Sequence, residues 1–283
     1  MKHIVVLLTL VAALVLNVAS ALADEEDVES PWETYSLSVG YFISSLDTSI
    51  RLGTGIGVDL DAEDLLDLDE TMSVARLDGS RRFGRHRIDF SWMSLNRKAT
   101  RVVQESFRFE NSEGEEVTVE AGATVESYFD LDLYEMTYSY SFIQDERIDL
   151  AAAFGLYLAP IGVGVAAQGT INGVDYAEEK ATSKFTAPLP MIGLRMDVAL
   201  TPKWFVRYQG QMFYLEYENF KGTLYASSVA VECKPWQHVG FGLGYDILRM
   251  QLEAIGEDYP EIDFKGNIGF QYSGLMLYAK LFF

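Results

Sequence analysis

The sequence predicts an all-β fold, a transmembrane antiparallel up-and-down β-barrel, with twelve strands as the preferred count and ten as the alternative. Three observations predict it. Apolar and polar residues alternate with period two from Tyr35 to the end. The chain opens on a secretory leader pattern, yet no later apolar run is long enough for a membrane helix. It closes on an alternating strand whose final residue is Phe283. With 49% hydrophobic and 13% aromatic residues, such a chain either buries that surface in a soluble β-domain or turns it toward lipid.

At the start, Lys2 and His3 precede an apolar run from Ile4 to Val18, and Ala21-Leu22-Ala23 supplies a small-x-small cleavage pattern before Asp24. The expected organisation is a signal peptide over 1–23, a short segment over 24–34 and a barrel over 35–283. At the end, Leu275, Leu277, Ala279, Leu281 and Phe283 alternate. A bare terminal Phe is a liability on a soluble domain. It fits a strand that the barrel-assembly machinery reads before insertion into the outer membrane of a Gram-negative cell.

Between these ends the strands follow in order. Tyr35, Leu37, Val39, Tyr41 and Ile43 form one apolar face, and Tyr134 to Phe142, Ile148 to Leu158, Ile192 to Leu200, Trp204 to Met212 and Val239 to Tyr245 form others. Ile262, Phe264, Ile268, Phe270 and Tyr272 precede the last strand. Each run is near the 9–11 residues that a tilted strand uses to cross the hydrocarbon. The opposite face carries Arg76, Asp78, Arg82, Arg87, Asp89, Glu135, Arg195, Asp197, Arg207, Gln209, Glu232, Lys265 and Lys280, the expected lumen lining. Trp32, Trp204 and Trp236 near strand ends read as an aromatic girdle.

Short turns are expected at Gly84-Arg85, 144–147, 201–203 and 234–237, and long connections at about 57–71, 97–127, 160–187 and 251–261. This alternation is that of outer-membrane barrels, with short turns in the periplasm. Breaks at Ser45-Leu46-Asp47 and Ser273-Gly274 split each chain end into two strands, which makes twelve. One long kinked strand at each end makes ten and places both termini with the short turns.

Asp47-Thr48, Arg51-Leu52, the run Val58-Asp59-Leu60 to Leu66-Asp67-Leu68, Arg76-Leu77-Asp78-Gly79 and His86-Arg87-Ile88-Asp89-Phe90 resemble a largely uncharacterised proteobacterial family of outer-membrane barrel proteins. Lys234-Pro235-Trp236 to Tyr245 matches as well. The likeness implies fold and location, and its motifs are barrel punctuation rather than a catalytic signature. Leu65-Leu66-Asp67 stands where many relatives carry a glycine.

Composition narrows the chemistry. A net charge of −20 argues against nucleic acid, which needs concentrated Lys and Arg. Cys233 is the single cysteine, so no intramolecular disulfide forms. His86 and His238 each adjoin a short turn and lack the serine spacing of a hydrolase, so no enzyme and no cofactor is expected. Asp59, Asp61, Glu63, Asp64, Asp67, Asp69 and Glu70 place seven carboxylates in twelve residues. Of these, Asp59, Asp61, Glu63 and Asp64 are weak divalent-cation candidates near lipopolysaccharide phosphates. Their interleaved leucines favour a packed segment.

Two functional readings follow. The first is a porin-like, narrow passive channel for small solutes, with the inward charges setting its field. The second is a closed structural or surface-interaction barrel acting through the segments at 97–127 and 160–187, and an envelope-lipid-modifying enzyme is a distant third. In a barrel of eight to ten strands, paired side chains largely fill the lumen.

Overall fold

The computed structural model describes residues 31–52, 60–61, 71–102, 104, 106–110, 116–171, 174–217, 220–254 and 266–283; the expected signal peptide lies outside them. Thirteen strands are present among these residues: β1 Tyr35–Leu52, β2 Leu60–Asp61, β3 Thr71–Phe83, β4 His86–Val102, β5 Phe107–Glu110, β6 Glu116–Val119, β7 Thr124–Gln144, β8 Ile148–Ile171, β9 Val174–Ala199, β10 Trp204–Tyr217, β11 Phe220–Cys233, β12 Val239–Ala254 and β13 Gly266–Phe282.

Ten of them form one closed antiparallel ring. Each pairs with its sequence neighbour in the order β1, β3, β4, β7, β8, β9, β10, β11, β12, β13, and β13 pairs back onto β1 from Ser36↔Phe282 to Leu52↔Gly266. The other three are appendages. β2 lies on β1, and the β5–β6 hairpin touches β8 through Val119↔Ile171.

The outer face explains why the chain closes this way. Val39, Tyr41, Ile43, Met136, Phe154, Ile192, Leu243, Leu275 and Leu277 are all exposed on it, and together they form a continuous apolar belt. In water such a belt costs free energy; in a bilayer it is the required surface, and closure leaves no unpaired strand edge. Trp204 and Trp236 sit exposed at the short-turn edge of the belt, where amphipathic rings suit the headgroup layer. The β3–β4 connection is a two-residue hairpin with Gly84 at φ 60° in its first central position, the conformation for which glycine is favoured.

Above the belt the wall turns inside out. Ile43 pairs with Leu275, and Leu275 with Tyr245, all facing lipid. One outward step higher stand Ser45 and Ser273, then Asp47, Gln271 and Arg249. On β7 the outward residues change from Tyr134 to Asp132 and Asp130, and on β4 from Trp92 to Ser94, Asn96 and Lys98. Over the same height the inward residues become apolar: Leu46 on β1, Leu95 on β4, Phe129 and Leu131 on β7, Leu248 and Met250 on β12, Phe270 on β13. Water on the outside reverses the preference, so the apolar side chains pack inward.

The structure corrects four expectations, the first three through this inversion and the height of the wall above the belt. The strand count is ten in the barrel and not twelve, because β1 and β13 run unbroken through Ser45-Leu46-Asp47 and Ser273-Gly274. The apparent breaks are places where the apolar residues move from the outer to the inner face while the strand continues. For the same reason Phe270 and Tyr272 are buried inside and do not extend the lipid face. Among the described residues the expected connections at 97–127 and 160–187 are largely strand: β4 runs on to Val102, β5, β6 and the start of β7 follow, and β8 and β9 pair from Ile148↔Val198 up to Ile171↔Val174. At about 3.4 Å per residue, the 26 residues of β9 reach roughly 85 Å, far more than a tilted crossing of a ~25 Å belt needs. Finally, Trp32 is not in the girdle; it is buried inside the short-turn mouth at 6% exposure.

Candidate functional site: the barrel interior

Within the belt, every second residue of each strand points inward, and the structure places Arg76, Asp78, Arg82, Arg87, Asp89, Glu135, Arg195, Asp197, Arg207, Glu232 and Lys280 there. Lys265 lies outside the described residues. These side chains meet in three clusters of opposite charge.

The first joins β3, β4, β8 and β9. Arg195 pairs with Asp197 and, at 3.1 Å, with Asp149; its Nε also donates to the Ser139 hydroxyl at 3.2 Å. Arg82 contacts Asp149 at 2.5 Å. Arg87 bridges Asp197 at 3.1 Å and Asp89 at 2.6 Å. Asp149 and Asp197 thus each take two or more guanidinium partners, the condition under which a carboxylate tolerates complete burial.

The second cluster closes the short-turn mouth. Glu33, just before β1, is held by Arg207, Lys280 and, at 2.8 Å, Lys234. Glu232 pairs with Arg207 at 2.8 Å and Lys280 at 3.2 Å, and accepts the Tyr278 hydroxyl at 2.7 Å. Tyr278 fits because Gly242 faces it: a Cβ there would sit 2.1 Å from the Tyr278 ring. Burial alone would push the Glu33 carboxyl up, but Arg207, Lys280 and Lys234 hold it well below the usual carboxylate range. Lys234, in the turn after β11, is pulled down by burial, with Glu33 opposing.

The third cluster lies higher. Arg76 contacts Asp78 at 2.7 Å, Asp246 at 2.5 Å and the Ser91 hydroxyl at 3.0 Å. Glu135 accepts from Thr137 and Gln209, both at 2.9 Å, and from Gln211 at 3.1 Å. Two cavities remain, of about 140 and 60 Å³, with Arg76, Ser91, Glu135, Gln209, Ser228 and Asp246 common to both, and the larger also reaches Arg87, Arg195, Asp197, Arg207, Glu232 and Lys280 of the two lower clusters. They are large enough for a few waters.

Directly above, the apolar tier fills the bore. Phe129 stacks on Phe270 with centroids 5.5 Å apart, Arg97 lies 5.0 Å over the Phe129 ring, and Leu95, Leu131, Leu189, Met191, Leu224, Leu248 and Met250 are each exposed by 2% or less.

Sequence reasoning missed four members. Asp149 and Asp246 alternate with Ile148 and Tyr245, so the period-two signal held them and only their sparse surroundings hid them. Glu33 and Lys234 lie outside the strands, where no alternation exists to reveal them.

The two histidines are on the outer face at the short-turn end. His86 Nδ1 is 2.6 Å from the Tyr138 hydroxyl, whereas Asp89 points inward to Arg87. His238 stacks on Phe283 at 4.7 Å. The cation candidates Asp59, Glu63 and Asp64 lie outside the described residues, and of Asp61 only its place in β2 is described. Among the described residues no group of three or more His, Cys, Asp or Glu is placed to hold a metal ion.

Comparison with solved structures agrees with the architecture. The chain is similar to the outer membrane protease OmpT from Escherichia coli, with a TM-score of 0.54 at 9% identity over 92% of this chain and 99% of that one. It also aligns with the Pseudomonas putida toluene transporter TodX (TM-score 0.34, 8% identity, 90% and 92% covered) and with Ail, the attachment invasion locus protein of Yersinia pestis (0.31, 9%, 87% and 99%). At these identities the likeness to OmpT is one of fold alone, and the two lower scores carry no argument. No protein-family model matches the sequence, and no curated protein is similar to it.

Proposed function

We propose that the protein is an outer-membrane barrel with a sealed lumen, which acts as a structural or surface-interaction protein through the wall that rises above the membrane. One observation carries this reading: a paired-charge tier in the membrane lies directly beneath an apolar tier, and together they occupy the bore. A ten-stranded ring is narrow enough for side chains to fill. The porin-like channel, the other reading of the inward charges, needs a continuous wet path past Phe129, Leu131 and Phe270, each buried to 2% exposure or less. Nor do His86 and His238 recommend an enzyme, since His86 stands among Phe83, Tyr138 and Tyr140 on the outer face and His238, in the turn before β12, stacks on Phe283.

On this reading β4 and β7 turn Asn96, Lys98, Asp130 and Asp132 outward beyond the lipid, within reach of lipopolysaccharide and external partners. The assembly machinery reads β13 and its terminal Phe283. The test is planar-bilayer recording of refolded residues 24–283. Silent insertion is the expected result; discrete, reproducible conductance steps would overturn the sealed lumen and restore the channel.

A further inference from the structure

We propose that the short-turn mouth contains a carboxylate-binding socket, built by Arg207, Lys234 and Lys280, which the chain's own Glu33 fills, making Pro31–Glu33 a stopper over the interior cavity. The socket belongs to the wall. Arg207 is on β10, Lys234 in the turn after β11 and Lys280 on β13. Each is positioned by something other than Glu33. Glu232 holds Arg207 at 2.8 Å and Lys280 at 3.2 Å, and the Lys234 ammonium lies 3.9 Å over the Phe205 ring and 4.7 Å over the Phe282 ring. Without Glu33 the three cations would face Glu232, with Asp197 acting on Arg207 alone and already shared with Arg87 and Arg195, so the site is anion-seeking by construction.

The segment that fills it is outside the sheet and spans the mouth. Thr34 is tied to the wall through its N–H to the Phe283 carbonyl and through its own carbonyl to the Arg82 N–H, both at 2.7 Å. Trp32 reaches the far rim, where its indole N–H donates to the Asp145 carbonyl at 2.8 Å. Its ring meets Phe205 edge-on at 6.3 Å, with the Arg82 guanidinium 5.9 Å above it. The carboxylate anchors the stopper and the indole covers the opening. The ligand class is therefore a carboxylate next to an aromatic group, supplied here in cis.

The test reads access from this end, which conductance does not isolate. In a Cys233→Ala background, Ser38→Cys places a thiol on the wall of the larger cavity. The full mature barrel is held in detergent micelles and exposed to a charged thiol reagent. With the stopper intact, labelling is slow. Trp32→Ala/Glu33→Ala is expected to label about tenfold faster or more, because closure of the mouth is a local equilibrium. Added acetate is expected to slow labelling of Glu33→Ala, and to lose that effect when Lys280→Met is also present. Equal rates with and without the stopper overturn the proposal. Faster labelling that ignores acetate overturns the socket. Should the double variant not fold, Glu33→Gln keeps the shape without the charge; an unchanged rate there also overturns it.

Discussion

The two halves of the barrel solve opposite problems with the same strands. Below the level of Ile43, Tyr134 and Leu275 the wall is apolar outside and charged inside; above it, Asp47, Asp130, Asp132 and Gln271 face out and Leu46, Phe129, Leu131 and Phe270 face in. Strand β7 shows both in one run, with Ser139, Thr137 and Glu135 inward at one end and Leu131 and Phe129 at the other. The backbone pairing does not change across the boundary. What changes is the outside solvent, and each interior takes the composition that its exterior leaves to it. The lower half is held by paired charges in lipid, and the upper half by the packing that stabilises a water-soluble domain.

The sharpest way to break this comparison is to place one charge in each interior. Leu131 pairs with Leu95 and Ile161 across its neighbouring strands, so Leu131→Asp leaves a carboxylate among apolar groups and is expected to exceed about 4–5 kcal/mol, the range in which folding fails. Ser139, eight residues on and equally buried, sits 3.2 Å from Arg195 Nε. Ser139→Asp is expected to refold. Electrophoretic mobility of the folded barrel reads both, and equal loss would mean that the interiors do not differ as described. The next largest effect is Arg195→Ala, which strips partners from buried Asp149 and Asp197 and is expected to lower stability by about 3–5 kcal/mol in urea titration. A loss under about 1 kcal/mol would mean the cluster is solvated.

How much of this was legible in the sequence depends on the half. In the lower half, Arg76 with Asp78 and Arg87 with Asp89 sit two residues apart between lipid-facing positions, so period two alone assigns them to the inner face. In the upper half the same rule misleads. Apolar residues occupy odd positions from Leu275 to Leu281 and even positions at Ile268, Phe270 and Tyr272, which reads as a break between two strands. A continuous strand crossing from lipid into water produces the same shift. Only the pairing of β13 with β1 and β12 over the whole length distinguishes them. The stopper was illegible for another reason: Trp32 and Glu33 act through contacts with residues far along the chain, from Arg82 to Lys280, and no local pattern encodes those.

A milder probe locates the boundary from outside. Leu277 and Gln271 both point outward on β13, the first within the belt and the second above it. An arginine at the bilayer midplane of such a barrel costs about 2–4 kcal/mol, and near the interface about 0–1. Leu277→Arg is therefore expected to lose most of the larger figure and Gln271→Arg almost nothing, read by refolding into vesicles. Equal penalties would mean that the lipid reaches Gln271 and that the inversion of the wall is not a membrane boundary.

The smallest effect expected is one of pH, and it falls on the lower half alone. Glu33 is held below the ordinary carboxylate range by three cations. It therefore binds a proton more readily in the unfolded chain, and its contribution is complete above the unfolded value of about 4.3. That contribution declines as pH falls below this value toward the folded one. Glu232 stays beside Arg207 and Lys280 when Glu33 is protonated, so the loss is smaller than that from removing Arg195. The apolar tier has few groups to titrate. Acidification is thus expected to raise amide exchange at the short-turn mouth before it does so around Phe129. Glu33→Gln, already neutral, removes that first step. If acid loosens both tiers together in the parent, the two interiors are one cooperative unit that differs in composition from tier to tier but not in stability.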